Sequence, residues 1–314
     1  MKYLVTGAAG FIGSHLVEAL LERGDEVVGL DNFATGRREN IAGFASDFEL
    51  IEGDIRDLAT CHEAASGCDY VLHQAALGSV PRSVADPITS HEVNTTGTLN
   101  MLVAARDAEV SGFVFAASSS YFGDTDVLPK TDAMPPKPLS PYAVTKVTCE
   151  HYIRVFASIY GLPAMGTRYF NIFGPRQDPN GPYAAVIPKF IEILMRGEAP
   201  TINGDGEQTR DFTYVENVVG ANLAACANAQ KAAGNIMNVA CGDRISLNTL
   251  YNLITDALGV DIEPIYGPPR AGDVRDSLAD TSLAAELIGY TPKVQSREGL
   301  QRTVDWFKAR AEAR

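Results

Sequence analysis

At 314 residues, with 46% hydrophobic and 21% charged residues, the chain is long enough to bury a sizeable core and to divide into two lobes. Its 26 lysines and arginines face 39 aspartates and glutamates, and the net charge of −13 argues against nucleic acid or an anionic membrane as the main partner, although local arginines can still hold a phosphate. No signal segment opens the chain, no apolar run nears the ~18 residues of a membrane span, and the five cysteines (61, 68, 149, 226, 241) lack C-x-x-C spacing, so a cytoplasmic protein with reduced thiols is expected.

Tyr3-Leu4-Val5 is a short apolar strand, followed by the turn Thr6–Gly13 and an amphipathic helix through Leu16, Leu20 and Leu21 that stops at Gly24. Glu26–Leu30 is the second strand. Glycines at 7, 10 and 13 permit a tight turn and close approach of a pyrophosphate to a helix N-terminus. Asp31, 18 residues beyond Gly13, stands where a carboxylate accepts both ribose hydroxyls of an adenosine. A 2′-phosphate would meet its charge, which favours NAD over NADP; Arg37 and Arg38 lie further into the loop. Later strands are expected at Phe48–Glu52, Tyr70–His73, Phe113–Ala117 and Ala164–Tyr169. Their alternation with helices specifies a parallel sheet covered on both faces, with ligands at the strands' carboxyl ends. Gly7, Asp31, Asp54, Gln74–Ala76 and Ser118 each follow one of the first five strands.

A proline-rich loop from Pro129 to Pro141 leads to Ser140, a suitable cap for a helix carrying Tyr142 and Lys146. At i and i+4 the two share a face, so an ammonium lies beside a phenol and favours phenolate, the requirement of an acid/base tyrosine. An exposed Tyr–Lys pair on an ordinary helix has the same spacing; the glycine turn and Ser118 in the same chain give this one its meaning. Apolar stripes on that helix (Cys149, Tyr152, Val155, Phe156) and on one near 89–106 suit either burial within the chain or a partner subunit. Beyond 170, Pro and Gly clusters at 174–182, 203–206 and 267–272 read as loops of a smaller lobe. His15, His62, His73, His91 and His151 are scattered, so no metal site is expected, and His73 should pack beneath a cofactor.

The spacing Gly7-x-x-Gly10-x-x-Gly13, with Ser118, Tyr142 and Lys146, resembles the extended short-chain dehydrogenase/reductase family. Further anchors run along nearly the whole chain: Asp54-Ile55, His73–Ala76, Asn94-x-x-Gly97-Thr98, Arg168–Pro175, Arg210-Asp211-Phe212 and Arg270–Val274. The pattern is most similar to the nucleotide-sugar 4-epimerases, and Ala75–Ser83 to those acting on UDP-N-acetylhexosamines. The resemblance implies an α/β fold, a Rossmann-type doubly wound parallel sheet with a smaller, interleaved C-terminal substrate-binding lobe. The NAD domain would take 1–170 with returns near 211–237 and 275–290. The UDP-sugar lobe would lie within 171–314, mainly 171–210, 238–274 and 291–314. It implies NAD held at the glycine turn by Gly7, Ala9, Gly10, Phe11, Ile12 and Gly13, and along the adenosine by Asp31, Asn32, Thr35, Gly36, Asp54 and Ile55. Gln74, Ala75, Ala76, Asn94, Tyr142, Lys146 and Tyr169 would complete that site. Ser79, Ser119, Ser120, Asn171, Ala185 and Val186 would meet the UDP-sugar, together with Lys189, Ile202, Asn203, Arg210, Arg270, Asp273 and Ser277. A homodimer through the helices near 89–106 and 142–158 is also implied.

In the resembling enzymes the residue at Ser118 hydrogen-bonds the sugar's reacting oxygen. Tyr142 would remove the C4 hydroxyl proton as C4 gives a hydride to NAD⁺, and Lys146 would hold the nicotinamide ribose and keep the phenol acidic. This chain departs from the family's Val-Tyr before Gly123, reading Ser118-Ser119-Ser120-Tyr121-Phe122-Gly123. Related 4,6-dehydratases carry Asp-Glu at Ser119-Ser120, and UDP-glucuronate decarboxylases a glutamate at Ser120. The hydroxyls favour epimerisation, of a UDP-N-acetylhexosamine and of a plain UDP-hexose. UDP-glucuronate 4-epimerase, also hydroxyl-rich here, is the alternative. A non-enzymatic nucleotide-sensing regulator is the alternative of another class, although such relatives tend to lose the tyrosine or lysine. Ser277, four residues past Asp273, stands where the family sets substrate size, with an inert surface serine as the plain reading.

Overall fold

The computed structural model describes residues 1–180, 185–269 and 275–312. Seven parallel strands form the central sheet: β1 (Lys2–Thr6), β2 (Glu26–Asp31), β3 (Glu49–Glu52), β4 (Tyr70–His73), β5 (Gly112–Ser118), β6 (Ala164–Tyr169) and β7 (Ile236–Val239), in the order β7-β6-β5-β4-β1-β2-β3. The order reverses between β1 and β4, where the crossovers leave the sheet on opposite faces and open a crevice at the carboxyl ends. Strands as apolar as Leu4-Val5 and Val114-Phe115 belong to a sheet buried on both sides.

Helices α1 (Phe11–Glu22) and α2 (Leu58–Ala65) follow β1 and β3. α3 (Gly97–Asp107) and α4 (Pro141–Tyr160) flank β5. α2, α3 and α4 cover one face around Leu4, Val71, Met101, Phe113 and Ile153. On the other face, α1 and α5 (Val215–Ala227) pack around Val5, Leu16, Val114, Val218 and Met237, joined by Ala284, Ile288 and Tyr290. A second core holds Phe173, Ile187, Phe190, Phe212, Leu250, Ile254 and Phe307, on the segments around 172–214, 245–262 and 294–307.

The helix expected over 89–106 runs through that span with a widened turn inside it. Pro87–His91 is α-helical, Glu92–Thr96 forms a π turn, and α3 then begins at Gly97. The widened turn brings Asn94 inward, and Gly97 is tight against Ile55: a Cβ there would lie 2.5 Å from the Ile55 side chain. α4 starts as its sequence dictates. Pro141 takes the first position, where no N–H partner is needed, and Ser140 Oγ accepts from Ala143 N at 3.1 Å. Gly161, at φ 67°, ends it. Among the described residues no helix is long and apolar enough to cross a membrane.

Candidate active site

Gly7 takes φ 68° after β1, and its N–H donates to Leu30 O at 2.7 Å. The turn tolerates no side chain at Gly13, where a Cβ would stand 2.0 Å from Gly7 O. α1 then begins with no side-chain cap and no acid in its first turn, leaving its N–H groups to a bound anion. Asp31, at the end of β2, accepts from Ala9 N at 2.9 Å and Phe33 N at 2.7 Å. Burial pushes its carboxyl up, against the pull of those two bonds. A cleft of about 410 Å³ opens above this turn. Of the expected cofactor residues, Gly7, Gly10, Phe11, Ile12, Gly13, Asp31, Asn32, Thr35 and Ile55 line it, as do Gln74, Ala75, Ala76, Tyr142, Lys146 and Tyr169. The bare backbone cradle, the free helix end and the terminal carboxylate fit a dinucleotide.

Four expected cofactor residues are not among those lining the cleft. Ala9 is buried and offers its N–H to Asp31. Gly36 packs on the Asp31 carboxylate so closely that a Cβ would lie 2.7 Å from both oxygens. Asp54 is held by the Arg56 guanidinium at 2.8 and 3.0 Å and by Asn32 Nδ2 at 2.9 Å, which draw its carboxyl down to about 2. Asn94 accepts from Leu77 N at 2.8 Å and donates to Thr145 Oγ1 at 3.2 Å, bracing the 74–78 loop from within. Arg56, Leu77, Gly78, Thr89 and Val93 also line the cleft. Leu77 and Gly78 lie within the Ala75–Ser83 run, whereas only the fold gathers Arg56, Thr89 and Val93.

His73 sits beneath the cleft, fully buried, and its tautomer follows from its neighbours. Thr98 donates to Asn94 O at 2.6 Å, so its oxygen accepts from His73 Nε2–H at 3.0 Å. Nδ1 then accepts from the Thr6 hydroxyl at 2.8 Å, whose oxygen takes the Ala75 N–H at 3.1 Å. Burial first, and then Lys146, holds the imidazole down at about 3, hence neutral.

Lys146, only 4% exposed, donates from Nζ to Ala116 O at 2.7 Å and stands 5.9 Å from the Tyr142 ring centroid. Tyr142 N donates to Ser83 Oγ at 3.0 Å, a first-turn N–H satisfied by a residue that no spacing in the sequence singles out. Ser118 ends β5, one residue past Ala117 of the cleft wall. Its Oγ accepts from Ser120 N at 3.2 Å and Ser120 Oγ at 2.9 Å. A hydroxyl has two lone pairs, so the Ser118 proton is left for a third partner.

The candidates for the sugar and uridine lie off this cleft. Ser79 caps the short helix Val80–Ala85, and Ser119 and Ser120 continue the turn from Ser118. Asn171, at φ 39°, donates to Asp211 O at 3.0 Å. Ala185, Val186 and Lys189 stand at the start of the helix Val186–Met195, Ala185 and Lys189 exposed. Ile202 turns into the second core, 1% exposed, whereas Asn203 is half-buried. Arg210 donates to Thr209 O at 2.9 Å and Arg275 O at 3.1 Å. Ser277 is no surface serine: it is buried, with its N–H on Thr209 O at 3.1 Å. Arg270 and Asp273 lie outside the described residues. No group of three or more His, Cys, Asp or Glu among the described residues could hold a metal.

A reversing parallel sheet, a phosphate-ready glycine turn and a Tyr–Lys pair in one crevice define a dinucleotide-dependent α/β enzyme. The model of the NAD dependent epimerase/dehydratase family matches residues 3–240, and the chain belongs to that family. It is 40% identical over 99% of its length to the UDP-glucose 4-epimerase of Mycolicibacterium smegmatis, all of which is covered. A UDP-N-acetylglucosamine 4-epimerase from Methanobrevibacter ruminantium, solved with UDP-N-acetylmuramic acid, superposes with TM-score 0.93 at 39% identity, with 98% of each chain covered. So does a UDP-glucose 4-epimerase from Thermotoga maritima with UDP-glucose, at TM-score 0.93 and 39% identity, covering 99% of this chain and 100% of that one. The cofactor is NAD, and the chain stands among the isomerases of its family, the nucleotide-sugar 4-epimerases.

Proposed function

We propose that the protein epimerises a UDP-hexose at C4, UDP-GlcNAc to and from UDP-GalNAc in the first place and UDP-glucose to and from UDP-galactose as well. The observation that carries this reading is the meeting of Tyr142, Lys146 and the glycine turn in one cleft, with the hydroxyl-only turn Ser118–Ser120 at its end. NAD, when bound, supplies hydride acceptance and return, so that C4 passes through a ketone without net redox. Tyr142 takes the C4 hydroxyl proton and gives it back. Lys146, bound to Ala116 O, sets its ammonium 5.9 Å from the Tyr142 ring centroid and has donors left for a ribose. Ser118 turns its free proton to the sugar oxygen. Ser119 and Ser120 offer no acid to expel a hydroxyl from C6, which disfavours elimination.

The similarity to UDP-sugar 4-epimerases supports the uridine nucleotide, and the buried Ser277, a small residue, supports room for an N-acetyl group. The hydroxyl-rich triplet also suits UDP-glucuronate, the second reading. Incubation with a panel of UDP-sugars, with product stereochemistry read by NMR, decides between them. Tyr142→Phe is expected to bind UDP like the wild type and to lose about 10²–10⁴-fold in turnover; wild-type turnover in that variant would remove the tyrosine from the mechanism.

We also propose a homodimer. Val144, Val155, Ile159 and Tyr160 of α4, with Val84 and Ile88 on the short helices Val80–Ala85 and Pro87–His91 that pack against α4, are exposed apolar residues of the kind an interface covers. Ile159→Glu is expected to shift the mass measured by light scattering from dimer to monomer; a wild type that is monomeric at micromolar concentration would sink the proposal.

A further inference from the structure

Lys130 is 2% exposed although it ends in an ammonium. Its backbone is pinned on both sides. The N–H donates to Leu278 O at 2.8 Å, and the carbonyl accepts from Asp280 N at 3.0 Å and Asn238 Nδ2 at 2.9 Å. The side chain therefore cannot leave with a swinging loop. Of its three protons, one is used among the described residues, in a long bond of 3.4 Å to Gly123 O, and the Phe122 ring centroid lies 6.0 Å from Nζ. Asp124 is near enough to favour the charge but forms no ion pair with it, and Arg210 opposes it. Burial, and after it Arg210, pushes the ammonium below the ordinary lysine range. A buried cation without a carboxylate is costly to desolvate, and one long carbonyl bond and a distant ring answer the charge only in part.

The position names what answers it. Gly123 closes the turn that carries Ser118, Ser119 and Ser120. The segment hydrogen-bonded to Lys130 follows Ser277 directly, and Ser277 N and Arg210 Nη1 share the Thr209 carbonyl. Two cations thus meet where the serine turn, the Arg210 strand and the Ser277 segment converge. In the proposed reaction the sugar must turn over while the diphosphate stays put, and the phosphate next to the sugar is the anion that fits between a sugar-facing turn and Arg210.

We propose that Lys130 is a positioning residue whose ammonium, with Arg210, holds the sugar-side phosphate of the bound nucleotide diphosphate; this rests on the UDP-sugar reading above. The test is calorimetric titration of the NAD-loaded protein with UDP, UMP and UDP-glucuronate, for the wild type, Lys130→Met, Lys130→Gln and Lys130→Arg. Both neutral variants should raise the Kd for UDP by about tenfold or more and leave that for UMP, which lacks the second phosphate, within about twofold. Lys130→Arg should recover part of the loss. Lys130→Met should melt no lower than the wild type, because it replaces an ill-partnered charge by a thioether of similar length. Lys130→Gln, which keeps a donor for Gly123 O, carries the test if the methionine variant does not fold. UDP affinity unchanged in both neutral variants overturns the proposal. A loss confined to UDP-glucuronate also overturns it, since the cation would then serve a sugar carboxylate. A wild type that binds no UDP overturns the UDP-sugar reading itself, an outcome distinct from either.

Discussion

Ser277 shows how much a single side chain can decide. It is 6% exposed and its N–H is fixed to Thr209, so a larger residue cannot escape to solvent. If the acetamido arm sweeps past this wall in both sugar orientations, Ser277→Tyr should abolish conversion of UDP-GlcNAc while sparing UDP-glucose, measured as the ratio of kcat/KM values. Equal loss on both sugars would count against a size gate. The residues that make up the cleft were legible to different degrees. Asp31 and the three glycines could be read directly, because their chemistry depends on backbone turns that short-range spacing encodes. Asn94 and Gly36 could be read only by resemblance, and their work is indirect: one braces a loop, the other makes room for a carboxylate. Ser83 could be read only as the end of the Ala75–Ser83 run; its contact with Tyr142 could not, since it spans 59 residues.

At the scale of an element, α4 is aligned by more than its cap. Glu150 lies one turn beyond Lys146, and both its oxygens receive Arg168 of β6, from Nε and Nη2 at 2.8 Å each, with all three groups buried. The same guanidinium stacks 3.8 Å from the Tyr121 ring centroid in the serine turn and lies 3.4 Å from Asp132. One cation therefore spaces the helix of the phenol from the turn of Ser118. The Tyr-Phe in place of the family's Val-Tyr finds its use here, with Tyr121 on Arg168 and Phe122 against Phe170. Arg168→Met should cost about 3–5 kcal/mol in urea unfolding because it strands Glu150 uncompensated; adding Glu150→Met should return most of that. A single variant within about 1 kcal/mol of the wild type would show the pair to be replaceable. The sequence anticipated this helix and its cap, but periodicity does not report a widened turn such as Glu92–Thr96, which depends on what Asn94 finds inside.

For the whole molecule, buried titratable groups set an opposed pair of pH effects. His73 and His15 are held down at about 3 and about 4 by burial, so the unfolded chain takes up their protons first and each costs stability as pH falls below 6.5. Asp211 and Asp132 are pushed up to about 7 and about 6, chiefly by burial, so the folded chain takes up theirs first and each adds stability as pH falls toward 3.8. Each group contributes about 1.4 kcal/mol per pH unit within its window. Asp31, pushed up by burial as well, adds to the gain. Relative to the wild type, Asp132→Asn, with one gain removed, should lose about 1.4 kcal/mol per pH unit between pH 6 and 4 in urea titrations; a difference that stays constant over that range would refute the assignment. None of this was legible from composition, because it arises from burial that only tertiary packing creates.

The seventh strand has a consequence for how the protein is made. β7 and the segment Ala284–Tyr290 complete the same core as β1 and α1, although most of the smaller core's chain lies between them. On a ribosome adding 5–20 residues per second, roughly 15 to 60 s pass before residue 290 is joined to the chain. Until β7 is complete at residue 239, β6 is an unpaired edge, a state that invites pairing between nascent chains, and until residue 290 the face under α1 and α5 still lacks Ala284, Ile288 and Tyr290. A fragment cut after the first six strands would keep that open edge permanently.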